Sequence, residues 1–224
     1  MAASTSIVVI SAGLGVPSSS RLLADQLSAA AERLGHAAGL DPVVTTFELR
    51  DLAVDIANNF VTGYAAPDLA EAISAVERAD AIIAVTPVFS ASYSGLFKSF
   101  IDVLEPRSLE GKPVLLGATG GTARHSLVLD LALRPLFSYL RTRTVPTGVF
   151  AAPTDWGQGD AEGVQSAGLP ARIERAAAEL VRDLAASRPE ASAEGARTLP
   201  SAATRPEDKS FEELLADLTA PRTS

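Results

Sequence analysis

Apolar and polar positions follow two rhythms along the chain, and the switches between them mark the elements. Residues 6–11 (SIVVIS) are rich in β-branched side chains and run into Ala12 and Gly13, a strand entering a turn. Leu23, Leu27, Ala30 and Leu34 then recur at helical spacing, which predicts an amphipathic helix over 18–34 with Gly35 as its stop. A second strand is expected at 43–49, followed by an irregular stretch to Ala66 containing Asn58, Asn59 and Gly63. Residues 67–79 suit a helix with Pro67 in its first turn. The run AIIAVT at 81–86 is apolar over a strand's length, the mark of a strand covered on both faces, and Pro87 is expected to end it. A polar loop over 89–94 leads to a helix at about 95–104 that buries Leu96, Phe100, Val103 and Leu104. Another buried strand is expected at 112–119, then a long helix over 123–141 with Pro135 as a kink point, a fifth strand at 144–150, and a closing helix at 169–186.

Alternation of buried-type strands with helical crossovers implies an α/β fold, a doubly wound parallel sheet of five strands with helices on both faces. Residues 1–186 are expected to form that domain. From Ser187 to Ser210 the only large aliphatic residue is Leu199, in a background of Ala, Ser, Pro, Glu and Arg, so 187–224 is expected to be a flexible tail. At its end FEELLADL (211–218) spaces Phe211, Leu214, Leu215 and Leu218 as a short amphipathic helix.

Composition narrows the function. The 224 residues carry 19 basic and 27 acidic side chains, a net charge of −8, and no Lys/Arg run breaks it, which argues against nucleic acid or an anionic membrane as partner. The absence of cysteine removes disulfides, a thiol nucleophile and thiolate metal sites. The start MAASTS has no basic segment before an apolar core, and no run reaches membrane-spanning length, so a cytoplasmic protein is expected.

In an open parallel sheet, ligands bind beyond the carboxyl ends of the strands near the reversal of strand order. Three loops fall there. The first, 12–20 (AGLGVPSSS), has two glycines and then Ser18, Ser19 and Ser20 at a helix start, with Arg21 next. Free amides, the positive helix end and hydroxyls together suit a phosphate, although one serine would serve as a plain cap. The second, 87–95 (PVFSASYSG), offers an apolar, aromatic and small polar edge to a flat heteroaromatic ring. The third, Thr119, Gly120, Gly121 and Thr122, allows close backbone approach, and His125 follows within reach of a ring or its phosphate. Each loop alone could be no more than a connection; their coincidence at three strand ends is what points to a site.

Other chemistries lack their residues. Gly13 and Gly15 are followed by Ser18 where a dinucleotide fingerprint needs its third glycine, and Pro17 would interrupt that turn. There is no G-x-S-x-G elbow, and the two histidines, His36 and His125, have no carboxylates at ligand spacing, so no metal site is expected. No catalytic acid–base pair or nucleophile is visible.

The stretch 86–102 (TPVFSASYSGLFKSFID) followed by 117–125 (GATGGTARH) resembles the NADPH-dependent FMN reductases of the flavodoxin-like superfamily. The likeness is greatest to the reductase components of alkanesulfonate and luciferase-like two-component monooxygenases. It implies a flavodoxin-like fold and hydride transfer from NADPH or NADH to FMN. The phosphate would lie at Ser11, Ser18, Ser19, Ser20 and Arg21. The ring would lie between Pro87, Val88, Phe89, Ser90, Tyr93, Ser94 and Gly95 on one side and Thr119, Gly120, Gly121, Thr122 and His125 on the other. A homodimer or homotetramer and a partner flavin-dependent monooxygenase are also implied. Phe89 and Leu131 stand where relatives often carry tyrosine. The residues leave two alternatives open, an FMN electron carrier and a quinone or azo-dye reductase with bound FMN. Arg21, Arg107, Arg124 and Arg143 are equal candidates for the 2′-phosphate of NADPH.

Overall fold

The computed structural model describes residues 4–156 and 168–187; the expected tail beyond Ser187 and its amphipathic octet lie outside them. Three long strands make the centre: β1 (Thr5–Ser11), β3 (Ala81–Phe89) and β5 (Pro113–Thr119), with β2 (Pro42–Glu48) outside β1. The ladder β2-β1-β3-β5 is parallel throughout and is completed beyond β5, giving the 2-1-3-4-5 order of flavodoxin-like sheets.

Strand periodicity sorts the side chains of these runs into two cores. Val8, Ile10, Ile82, Ala84, Val114 and Leu116 face one layer, made of α2 (Ala53–Thr62), α3 (Pro67–Arg78), α4 (Gly95–Asp102) and α5 (Arg134–Tyr139). Ile7, Val9, Ala81, Ile83, Val85 and Leu115 face the other, made of α1 (Ser19–Ala37) and α7 (Leu169–Ala186), with the four-residue α6 (Pro153–Trp156) beside it. Each fully buried Ile, Val or Leu contributes about 1.5–3 kcal/mol, which is why the central strands carry no polar residue over 7–10, 81–85 and 113–118.

Several expectations need correcting. The sheet has seven strands rather than five. One addition is β4 (Ser92–Tyr93), which returns antiparallel on Val88 and Phe89, so β3 continues through Pro87 instead of ending there. The other arises because the expected fifth strand is two short ones, β6 (Arg143–Thr144) and β7 (Val149–Ala151), both paired with β5. Between them the Val145 amide still donates to the Val114 carbonyl at 2.9 Å, but Arg134 donates to the carbonyls of Val145 and Pro146, and Glu179 accepts from the Thr147 amide at 2.7 Å and its hydroxyl at 2.8 Å, so side chains take over where the ladder lapses.

The stretch expected to be irregular before Ala66 contains α2. Leu49, Leu52 and Ile56 anchor it at helical spacing, and Gly63 closes it in the left-handed conformation (φ 70°). Its outer face carries Val54, Phe60 and Val61, which hides the amphipathic pattern. Gly35 does not stop α1, which runs on to Ala37. A Cβ at position 35 would stand 3.1 Å from the Pro42 ring, so the glycine makes room for β2. The long helix expected over 123–141 is broken into a 3₁₀ turn (Ala123–His125), a π-helical segment (Leu129–Leu133) and α5. Pro135 has no amide to give to Leu131, and the Arg134 amide reaches back to the Leu129 carbonyl.

Candidate active site

Strand register brings the three loops together. Ser11 pairs with Val85, and Pro87 with Thr119, so the carboxyl ends of β1, β3 and β5 finish side by side at the β1/β3 reversal.

The loop after β1 is built by close packing. Ser18 caps α1, accepting from the Arg21 amide at 3.1 Å, and Gly13 is buried beneath it, where a Cβ would lie 1.9 Å from Ser18 Oγ. Ser20 turns inward and shares a 2.7 Å hydrogen bond with Thr119, tying the start of α1 to the end of β5, 99 residues away in sequence. Ser19 stays exposed. Among the hydrogen bonds of the described residues, none is donated by the amides of Gly13, Gly15, Ser19 or Ser20. Ser11, 1% exposed, has the only fully buried side-chain polar atom of the described residues without a partner, its Oγ.

Arg21 is otherwise engaged. Its Nε donates to Asp25 at 2.7 Å and its Nη1 to Glu48 at 2.7 Å, and the Asp25 hydrogen bond leads in pushing its pKa above the usual arginine range. Glu48, at the end of β2, also pairs with Arg50 at 3.0 Å, and Arg50 donates to the Gly15 carbonyl at 3.0 Å. Sequence reading passed over Arg50. The only signal was its place just beyond a strand end.

The second loop is a hairpin, not the open polar loop expected. Phe89 pairs with Ser92 across Ser90 and Ala91, whose φ values of 49° and 64° make a two-residue turn with both central residues left-handed. Neither is glycine or asparagine, so the conformation is held against local preference. Thr86, fully buried, accepts from the Ser94 amide at 3.0 Å and fixes the base of the hairpin. Ser94 then caps α4 by accepting from the Phe97 amide at 3.2 Å. Tyr93 packs on Phe97 with ring centroids 6.1 Å apart, while Val88 is half-buried and Phe89 and Gly95 face solvent.

In the third loop the Gly120 amide donates to the Ala151 carbonyl at 3.1 Å, and a Cβ there would meet the Phe150 ring at 2.9 Å. Thr122 caps the 3₁₀ turn through the Arg124 amide at 3.3 Å, and Gly121, Arg124 and His125 are exposed. Of the four candidate arginines, Arg143 is spent on the Gly111 carbonyl and Ser187 at the amino end of the sheet. Arg107 lies in the turn before β5, at that same end. Among these four, Arg124 combines a place at the carboxyl edge with the absence, among the described residues, of ion pairs like those that hold Arg21.

Comparison with known proteins agrees with this architecture. The profile of the NADPH-dependent FMN reductase family matches residues 5–157. An FMN reductase (NADPH) of Pseudomonas aeruginosa is 38% identical over 184 residues, 82% of this chain and 94% of the relative. The NADH-dependent FMN reductase SfnF of Pseudomonas putida is 37% identical over 147 residues, 65% of this chain and 76% of the relative. An oxidoreductase of Corynebacterium diphtheriae superposes with a TM-score of 0.77 at 45% identity, covering 83% of this chain and 99% of that one. The apo form of the NADH:FMN oxidoreductase EmoB superposes with a TM-score of 0.68 at 27% identity, covering 84% and 94%. With a flavodoxin-like sheet, three loops gathered at its switch point and this breadth of similarity, the chain belongs to the NADPH-dependent FMN reductase family and is an NAD(P)H:FMN oxidoreductase.

Proposed function

We propose that the protein seats FMN across its three loops with the phosphate on the first, reduces it with NAD(P)H, and delivers the reduced flavin to a partner flavin-dependent monooxygenase. The observation that carries the phosphate assignment is the buried Ser11 hydroxyl, unpartnered among the described residues, at the foot of a loop whose Gly13, Gly15, Ser19 and Ser20 amides donate to none of them. An orphaned buried hydroxyl costs about 1–3 kcal/mol, which a hydrogen-bonding ligand recovers. The space that a Cβ at Gly13 would fill is needed for the same loop to close over its serines. This donor set fits a phosphate-bearing flavin.

On this reading Ser11, Ser18 and Ser19 meet the phosphate, with Ser20 and Arg21 holding the start of α1 against β5 and β2. Pro87, Val88, Phe89, Ser90, Tyr93, Ser94 and Gly95 border one side of the ring, and Thr119, Gly120, Gly121, Thr122 and His125 the other. FMN, when bound, supplies the hydride-accepting centre, so the protein needs no acid–base pair of its own. Its task is placement: the Thr86-braced hairpin and the Gly120 turn, pinned to Ala151, hold two walls at a fixed separation. Leu127, Leu131 and Tyr139 expose an apolar face after β5, which supports assembly as a homodimer or homotetramer.

The test is to record the visible spectrum of the purified full chain and then its NADPH and NADH oxidation with and without FMN and a flavin-dependent monooxygenase. Colourless protein whose activity saturates in added FMN and drives the monooxygenase supports the proposal. A yellow protein whose turnover ignores added FMN contradicts delivery and favours a reductase that retains its flavin.

A further inference from the structure

Arg50 stands two residues past the end of β2, outside every loop assigned to the site, yet it reaches into the first of them. Its Nη1 donates to the Gly15 carbonyl at 3.0 Å, its Nη2 pairs with Glu48 Oε2 at 3.0 Å, and its Nε lies 3.4 Å from Asp51. The other oxygen of Glu48 takes Arg21 at 2.7 Å. One carboxylate thus anchors the first loop twice, at the head of α1 through Arg21 and in mid-loop through Arg50. Arg50 and Glu48 are only 26% and 17% exposed, so the pair is shielded beyond an ordinary surface ion pair. Fixing the Gly15 carbonyl fixes the planar peptide it belongs to, and with it the Val16 amide, which points the opposite way.

We propose that Arg50 is a positioning residue for phosphate recognition: without touching the flavin, it sets the arrangement in which the first loop presents its amides. This rests on the reading of that loop as the phosphate site. Arginine suits the task because its planar fork serves a carbonyl and a carboxylate at once, which an ammonium cannot do in the same geometry.

The experiment measures KM and kcat of the full chain for FMN and for riboflavin, which lacks the phosphate, in wild type, Arg50→Met and Arg50→Lys. Arg50→Met is expected to raise KM for FMN about tenfold, the effect of losing one hydrogen bond to a charged group, with kcat and KM for riboflavin held within about twofold. Arg50→Lys, able to keep one of the two bonds, should fall between, and it carries the test alone if the methionine variant does not fold. A merely structural ion pair would lower thermal stability and move both flavins together. An unchanged ratio of the two KM values in a folded variant, or equal losses for both, overturns the role of Arg50 alone. A wild type that does not distinguish FMN from riboflavin overturns the phosphate reading and this inference with it.

Discussion

Replacing Gly13 with alanine would place a methyl carbon 1.9 Å from Ser18 Oγ, 3.1 Å from Ser18 Cβ and 3.2 Å from Ser20 Cβ. The first distance is impossible, so the Ser18 hydroxyl must swing away and surrender its bond to the Arg21 amide. Loss of a serine cap costs about 1 kcal/mol. The two Cβ contacts add overpacking of about 1–3 kcal/mol, because Ser20 cannot retreat without straining its 2.7 Å bond to Thr119. The sum, about 2–4 kcal/mol, corresponds to a fall in Tm of roughly 4–16 °C for a domain of this size. Thermal unfolding followed by circular dichroism reads that loss, and FMN saturation of NADPH oxidation should shift to higher concentration in the same variant. The second site decides the cause. Ser18→Gly alone should cost only a few tenths of a kcal/mol, and combined with Gly13→Ala it should recover at least half of the loss, since the clashing atom is gone. Additive losses in the double variant, or an unshifted Tm in the single one, would refute the packing described for this loop.

Three further outcomes are expected. Ser20→Ala leaves Thr119 Oγ1 buried without its partner and should destabilise by about 1–3 kcal/mol in urea unfolding, with much of the loss restored by adding Thr119→Val. Arg124→Ala should raise KM for NADPH while leaving KM for NADH near wild type, because the two nucleotides differ only in the 2′-phosphate; parallel shifts would remove Arg124 from that role. Lys112 donates to the Glu77 and Ala79 carbonyls at the end of α3, and burial lowers its pKa from 10.5. Between the lowered folded value and 10.5 the unfolded chain binds more protons, so wild-type stability should rise with pH through that window relative to Lys112→Met, and parallel stability curves would contradict this.

What could be read from the chain depended on how local the cause was. The runs at 81–86 and within β5 announce burial on both faces by themselves, and α7 spans the expected residues because its apolar positions are regular and Pro170 suits a first turn. The loop residues of the candidate site were legible as strand-end clusters, since strand ends and hydroxyl runs are sequence features. Long-range partners were not. The fifth strand is split by Arg134 and Glu179, which lie on other elements, and α2 was hidden by exposed Val54, Phe60 and Val61. The Ser90–Ala91 turn uses neither of the residues that advertise a left-handed pair, so the hairpin had no local sign. The inward turn of Ser20 and the diversion of Arg21 to Asp25 and Glu48 depend on contacts across the fold that no spacing encodes.

Titration calorimetry of the full chain with FMN and with riboflavin tests the central claim most directly, because the two ligands differ only in the group assigned to the first loop. The account predicts that FMN binds at least about tenfold more tightly, as charge-assisted hydrogen bonds to a phosphate require, and that Ser19→Ala narrows the gap. Equal affinities for the two flavins would contradict it.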